Sequence, residues 1–497
     1  MEKITNIASD TPSSSPMFIP LRMILPITAI GTFMSAIDGS IVNISLFTIA
    51  RALKTDMEGV RWVTIIYLLV ISSLIGIGGS LGDNYGRKRI FQLGMLFFIL
   101  GSLFCAFSPS LEILVLSRAL QAIGAAGLMA NGLALVITYV EPSIRGRAIG
   151  INSLVVASAL STGPAIGGFL TKYVGWPSIF LINIPIGLLG ILLVQLFIPE
   201  TPEKRYKLDY GGMFVFIITA FSLVQGILTL FKGELIGGVL ILIALVSGII
   251  FLFIESNHPT PMVSVDILRD KTILTGISSS FLCYMVYYSV IFLLPFYYQE
   301  VLLFPPDQTG ILMVVPPLAM AVMGPFAGFF AEKIDAKRST SFGAVILGFS
   351  VLSLSVLFNI FPNNSQEIIF ILVPLVAFSA GSLTTFTVSN GTSVMNVAPK
   401  GDVSVVTGLI GLSRNIGFAL GTTISSSIFT LFFLINNPNN ITSGTVFISS
   451  YYTSLGQTFL LFSLFALLGT VISYLRSSDR ELEITKSTIY LIKKSNS

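Results

Sequence analysis

Apolar residues in this chain fall in long unbroken runs and do not alternate with polar ones. Fourteen runs stand out, near 22–48, 61–81, 90–108, 112–139, 148–171, 177–198, 211–231, 235–255, 274–299, 308–331, 340–361, 367–396, 403–434 and 456–475. A bilayer core about 30 Å thick takes roughly 20 apolar residues as a helix. In lipid a helix satisfies its own backbone hydrogen bonds. A membrane β-barrel would show alternating segments of about ten residues. The pattern therefore predicts an all-α membrane protein with fourteen transmembrane helices.

Composition narrows this further. Of 497 residues, 53% are hydrophobic and 10% charged, against about 25% charged in soluble domains. A soluble enzyme, a disordered chain and a nucleic-acid binder are excluded. Cys105 and Cys283 sit in apolar runs, and the single histidine, His258, is in a polar loop. No disulfide framework, metal site or Ser-His-Asp triad is expected. No GxxxxGK[ST] loop occurs, so ATP hydrolysis is not expected either. The chain reads as a non-enzyme that needs no cofactor. Its first twenty residues are polar and lack an apolar core with a cleavage site. They read as a cytoplasmic tail, not a signal peptide.

The net charge of +4 matters less than where the charges fall. With the N-terminus inside, 21 of the 28 Lys and Arg lie on the inner side and 5 outside, among them Arg51 and Arg61. The remaining two, Arg118 and Arg414, lie within runs. Basic residues collect on the cytoplasmic side, so both termini are expected there, in a multi-pass protein of the cell membrane. Asn363 and Asn440 begin sequons in outside loops.

The chain also repeats itself. Gly79 to Arg89, between runs two and three, and Gly328 to Arg338, between runs ten and eleven, share glycine, acid and basic pair at the same spacing, 249 residues apart. Runs one to six then correspond to runs nine to fourteen, with seven and eight inserted. The expected units are a tail 1–21, a six-helix bundle 22–198, a linker with two helices 199–273, a second bundle 274–475 and a tail 476–497. Two related bundles holding a substrate between them near the midplane is a common transporter plan.

On these residues the chain resembles the fourteen-helix drug:proton antiporters of the major facilitator superfamily. Gly79 to Arg89 matches the family's loop signature between helices two and three. Ile37 to Asn43, Trp62 to Tyr67, Arg118 to Gly124 and Phe180 to Gly187 match motifs of helices one, two, four and six. Gly163, Pro164, Gly167 and Gly168 match the fifth-helix motif associated with antiporters. Phe47 stands where the family usually has proline, and Pro177 where it usually has arginine, which affects the outer ends of helices one and six. The resemblance implies proton-coupled efflux of small amphiphilic compounds by alternating access. A symporter importing a specific nutrient is the alternative. Protons, a small molecule and membrane lipid are the implied partners, with a single chain as the working unit.

Asp38 is the one acid deep inside a run. An intramembrane charge costs about 3 kcal/mol or more, which makes it a functional candidate. Counting about 1.5 Å per residue along helices one and four places Asp38 and Arg118 at similar depth. Arg118 favours the charged carboxylate and apolar surroundings the protonated one. That balance suits a proton-coupling pair, or a purely structural ion pair. Asn43, Gln121, Tyr287 and Arg414 are candidates for a substrate cavity. Tyr287 is the counterpart of Asp38 in the repeat and has Tyr284 and Tyr288 beside it. Two arginines against one aspartate would make the cavity electropositive, favouring weak acids or neutral amphiphiles over dications. Gly79, Asp83, Gly86, Arg87 and Arg89 form a candidate latch, or serve topology alone. Gly163 to Gly168 provides close helix packing or a hinge.

Overall fold

The computed structural model describes residues 20–141, 145–200, 209–231, 234–258, 270–333, 336–360, 366–397, 403–439, 441 and 443–476. The two tails (1–19 and 477–497), the second basic turn's Asp335 and the sequon residues Asn363 and Asn440 lie outside them. So do inner-side basic residues such as Lys204, Arg205, Lys207, Arg269 and Lys400.

Among the described residues fourteen long helices follow one another. They are α1 Leu21–Ala52, α2 Trp62–Tyr85, α3 Arg87–Ala106, α4 Leu111–Tyr139, α5 Arg145–Tyr173, α6 Asn183–Phe197 and α7 Tyr210–Phe231. The rest are α8 Leu235–Asn257, α9 Lys271–Phe296, α10 Pro306–Lys333, α11 Ala336–Ile360, α12 Ile369–Val397, α13 Val403–Asn436 and α14 Gly444–Tyr474. Thirteen spans among the described residues are long and apolar enough to cross a membrane, and α5 fills the remaining place. Polar residues at the ends decide where the helices start. The Asp270 carboxylate accepts from the Thr272 amide at 2.8 Å, and the Ser110 hydroxyl from the Ile113 amide at 3.5 Å. Such caps satisfy the first free N–H groups.

The first six helices pack into one bundle and the last six into another. The helices α7 and α8 pair with each other, and α7 lies against both α2 and α13. Only 22% of the apolar window of α8 is buried, and its hydropathy is 2.9. Its surface therefore suits lipid.

The two bundles meet along two seams, α2 against α13 and α5 against α10. The second helix of each bundle thus faces the fifth of the other, as an internal pseudo-twofold repeat requires. The tightest described contacts fall toward the end where α1 finishes and α2 begins, called here the sealed end. Lys172 and Asp307 pair at 2.8 Å across the α5–α10 seam. Gln299 donates to the Ile44 carbonyl at 3.0 Å, joining α1 to the turn Tyr297–Val301 that continues α9. Toward the other end, a Cβ on Gly324, Gly328, Gly391 or Gly411 would meet nothing within 4 Å.

Several boundaries differ from the sequence expectation. Gly79 to Arg89 is not a loop. The helix α2 runs through Tyr85 and α3 starts at Arg87, so the break is the single residue Gly86, at φ +95°. Glycine alone adopts that backbone cheaply. The last span begins at Gly444, not 456. Arg476, assigned to the tail, is buried, and its guanidinium donates to the Asn390 side-chain oxygen on α12. Asp38 is the one acid deep inside a helix among the described residues; Asp209 and Glu255 are buried too, but at the base of the α7–α8 pair.

Candidate functional site

Asp38 sits in the middle of α1 and is fully buried. One carboxylate oxygen accepts from Arg118 Nη1 of α4 at 2.5 Å. The other accepts from Gln121 Nε2 at 2.9 Å and Asn183 Nδ2 at 3.4 Å. Arg118 Nη1 also donates to Gln121 Oε1 at 2.6 Å, and its Nε to the Val63 carbonyl at 3.1 Å. Ser102 of α3 accepts from both Gln121 and Asn183. Five helices, α1, α2, α3, α4 and α6, therefore contribute to the cage around one carboxylate. A buried charge is tolerable only when paired and hydrogen-bonded in this way. The pair predicted from helix depth is formed. The sequence argument missed Asn183 and Ser102, although Asn183 lies in a motif already noted on helix six.

The cage sits inside the first bundle and does not line the space between the bundles. Gln121, expected in a substrate cavity, belongs to the cage and is fully buried. Its amide reaches the carboxylate and Ser102 because α4 turns that face toward α1 and α3. Tyr67 of α2 stands between the cage and that space. Its ring centroid is 4.0 Å from the Arg118 guanidinium carbon, and Tyr67 also lines the central cavity.

That cavity has a volume of about 340 Å³ and lies between the bundles. Asn43, Tyr287 and Arg414 line it as expected, together with Tyr284 and Tyr288. Asn43 donates to the Tyr288 hydroxyl at 3.0 Å, a bond from one bundle to the other. Phe418 stacks on Tyr288 with centroids 4.2 Å apart. Among the described residues Arg414 is the one charged residue in the lining, and no acid accompanies it. The expected pair of arginines is corrected here: Arg118 is turned away and held by Asp38, so Arg414 alone gives the cavity its charge.

The Gly163–Gly168 motif lies along α5 between two partners. A Cβ on Gly163 or Gly167 would overlap Ser40 or Ile41 of α1. A Cβ on Gly168 would overlap the Pro306 carbonyl of α10, and one on Gly310 of α10 would overlap the Pro164 carbonyl. The motif thus builds the α5–α10 seam as well as the first bundle. Pro164 also lines the cavity.

At the opposite end, Arg87 pairs with Asp83 at 2.7 Å and donates to the Ala134 carbonyl at 3.0 Å and the Thr138 hydroxyl at 2.8 Å. Lys88 and Arg89 face Glu200 at 3.4 and 3.5 Å. None of these contacts reaches the second bundle. Gly79 has nothing within 4 Å of its Cβ position.

Arg61 was counted among loop charges and is fully buried. Its guanidinium donates to the Thr423 carbonyl at 3.2 Å, to the Ser427 hydroxyl at 2.8 Å and to the Ser426 hydroxyl, all on α13 of the other bundle. No sequence signal marks this bond, because its partners are 366 or fewer positions away on a different bundle.

The model of the Major Facilitator Superfamily matches residues 28–422, with a second, overlapping match at 276–488. The chain belongs to this superfamily. Among superfamily members, the riboflavin transporter RibZ of Clostridioides difficile (strain 630) is 31% identical over 93% of this chain and 99% of its own length. The multidrug resistance protein Stp of Mycobacterium tuberculosis (strain CDC 1551 / Oshkosh) is 29% identical over 81% of this chain and 74% of its own. A bacterial homologue of the human lysosomal transporter Spinster, solved in an inward-facing and unoccupied conformation, shares the fold. Its TM-score is 0.67 at 15% identity, covering 92% of this chain and 96% of that one. The molecule is thus a multi-pass membrane transporter of major facilitator architecture.

Proposed function

We propose that this transporter exports small amphiphilic compounds in exchange for protons. One observation carries the reading. The buried Asp38–Arg118 pair lies one aromatic ring behind the wall of a cavity set between two bundles. A carboxylate in that position can take up a proton when the bundles expose it to one side and release it to the other. Its change of charge alters the pull on Arg118 and, through the stacked ring, on Tyr67. Substrate and proton thereby act on the same wall.

The concentration of basic residues at the end opposite the seal supports a seal on the outside and both termini in the cytoplasm. The cavity then takes its load from the cytoplasm. Rocking of the bundles about the two seams would open the sealed end. Asp83 and Arg87 would hold the cytoplasmic end of the first bundle in shape through that motion. Arg414, without an acid beside it, favours weak acids and neutral amphiphiles. The tyrosines and Phe418 offer aromatic faces to a planar ring.

The name of RibZ supports a second reading, a nutrient carried with the proton instead of against it. Flux measurements in proteoliposomes with an imposed pH gradient separate the two. A panel of weak acids, neutral dyes and a flavin should include compounds that drive proton flow opposite to their own. Co-directional flow would establish symport, and absence of any coupled flow would reject both readings.

A further inference from the structure

A second cavity, of about 310 Å³, lies at the sealed end. Its walls come from both bundles. The end of α1 contributes Phe47 and Arg51, and the turn after it Asp56 and Glu58. The other bundle contributes Glu300, Phe433 and Tyr451 among its lining residues. Its chemistry is the reverse of the central cavity's. Three carboxylates and one exposed arginine line it, where the central cavity has one arginine and no acid.

Three observations indicate what this chamber accepts. Tyr451 is only 2% exposed, yet its hydroxyl has no hydrogen-bond partner. A buried hydroxyl left unsatisfied costs roughly 1–3 kcal/mol. Glu300 has no hydrogen bond and no ion pair within 4 Å among the described residues, and Arg51 is the cation whose field reaches it. Arg51, in turn, lies over the Phe47 ring, 4.4 Å from its centroid. A cation therefore already occupies one aromatic face of the chamber, carried on a side chain at the rim. Phe47 stands edge-on to Phe296 at 6.3 Å, and Phe433 and Tyr451 lie 5.9 Å apart, so several ring faces surround the same space. Rings of this kind with a carboxylate nearby bind quaternary or protonated amines.

We propose that this chamber is a binding site for a monovalent organic cation, distinct from the central substrate cavity, and that its occupant holds the sealed end closed. The ammonium displaces the Arg51 guanidinium from Phe47 and faces Glu300. Its apolar body rests against Phe433 and Tyr451. Because both bundles supply the walls, parting the bundles at this end takes the site apart. A ligand shifts an equilibrium by its difference in affinity between two states. An occupant of this chamber therefore favours the closed seal and slows transport.

The test uses the full chain in lipid nanodiscs and tritiated benzyltrimethylammonium. Saturable binding is expected, weakened at least tenfold in Glu300→Gln and in Phe433→Leu, and unchanged in Arg414→Gln. The cation should also raise the yield of bifunctional-maleimide cross-linking between Lys172→Cys and Asp307→Cys. Binding that changes in Arg414→Gln, above all tighter binding once the central cavity has lost its positive charge, would place the cation in that cavity and overturn the proposal. So would wild-type binding in Glu300→Gln and Phe433→Leu, no saturable binding at all, or a cross-link yield that stays level or falls. These readouts need no transported substrate, so they stand or fall apart from proton-coupled export.

Discussion

The Arg118 guanidinium lies 4.0 Å from the centroid of the Tyr67 ring, and Tyr67 is part of the wall of the central cavity. A desolvated cation–π contact is worth about 2 kcal/mol. It joins the buried charge pair to the wall of the space where substrate would sit. Tyr67→Leu should leave substrate affinity within about threefold and uncouple transport. The check is the ratio of proton to substrate flux in proteoliposomes, which should fall at least fivefold. An unchanged ratio would show that coupling runs elsewhere.

Asp38→Ala leaves Arg118 buried without its counter-charge, a loss of about 3–5 kcal/mol. Thermal unfolding in detergent should register it as a marked fall in Tm. Asp38→Asn keeps an acceptor for Arg118 and should unfold closer to wild type, yet gradient-driven export should vanish. Substrate exchange without a gradient should persist in that variant.

Arg414 carries the only charge among the described residues that line the central cavity. Arg414→Gln should raise the KM for anionic or weakly acidic substrates about tenfold and leave neutral ones within twofold. Arg414→Lys should restore part of the loss, since the charge returns without the planar fork. Uptake assays across a series of substrates of graded charge decide this.

Arg61 holds the α2–α13 seam through three acceptors on α13. Hydrogen bonds from a charged group are worth about 1.5–3 kcal/mol each. Arg61→Met should shift the balance away from the sealed state by tenfold or more. Cross-linking between cysteines at 172 and 307 should fall accordingly, with folding judged by size-exclusion elution.

Gly168 and Pro306 touch backbone to backbone on the second seam. Gly168→Leu should keep the first bundle folded, because the overlap falls on the other bundle. It should prevent closure and reduce transport at least tenfold. Gly163→Leu should instead destabilise the first bundle, where the overlap falls on Ser40 of α1.

The span count and the repeat were legible because lipid imposes one simple demand on every helix, about twenty apolar residues. The Asp38–Arg118 pair was legible as well, because helix rise alone puts the two at one depth. Gln121 was misplaced because rise gives depth and not the direction in which a side chain points. Arg61 and Arg476 were misread for a related reason. A basic residue at the edge of an apolar run looks like a loop charge until its acceptors on other helices are known.

The sequence by itself determined that this chain is a bundle of membrane helices built from two related halves, since hydropathy and spacing are local properties. Only the tertiary structure decided that the aspartate is caged away from the cavity, that one arginine charges that cavity, and that another clasps the opposite bundle. Those outcomes depend on which helix faces meet across hundreds of residues. Packing sets that geometry, and no local pattern encodes it.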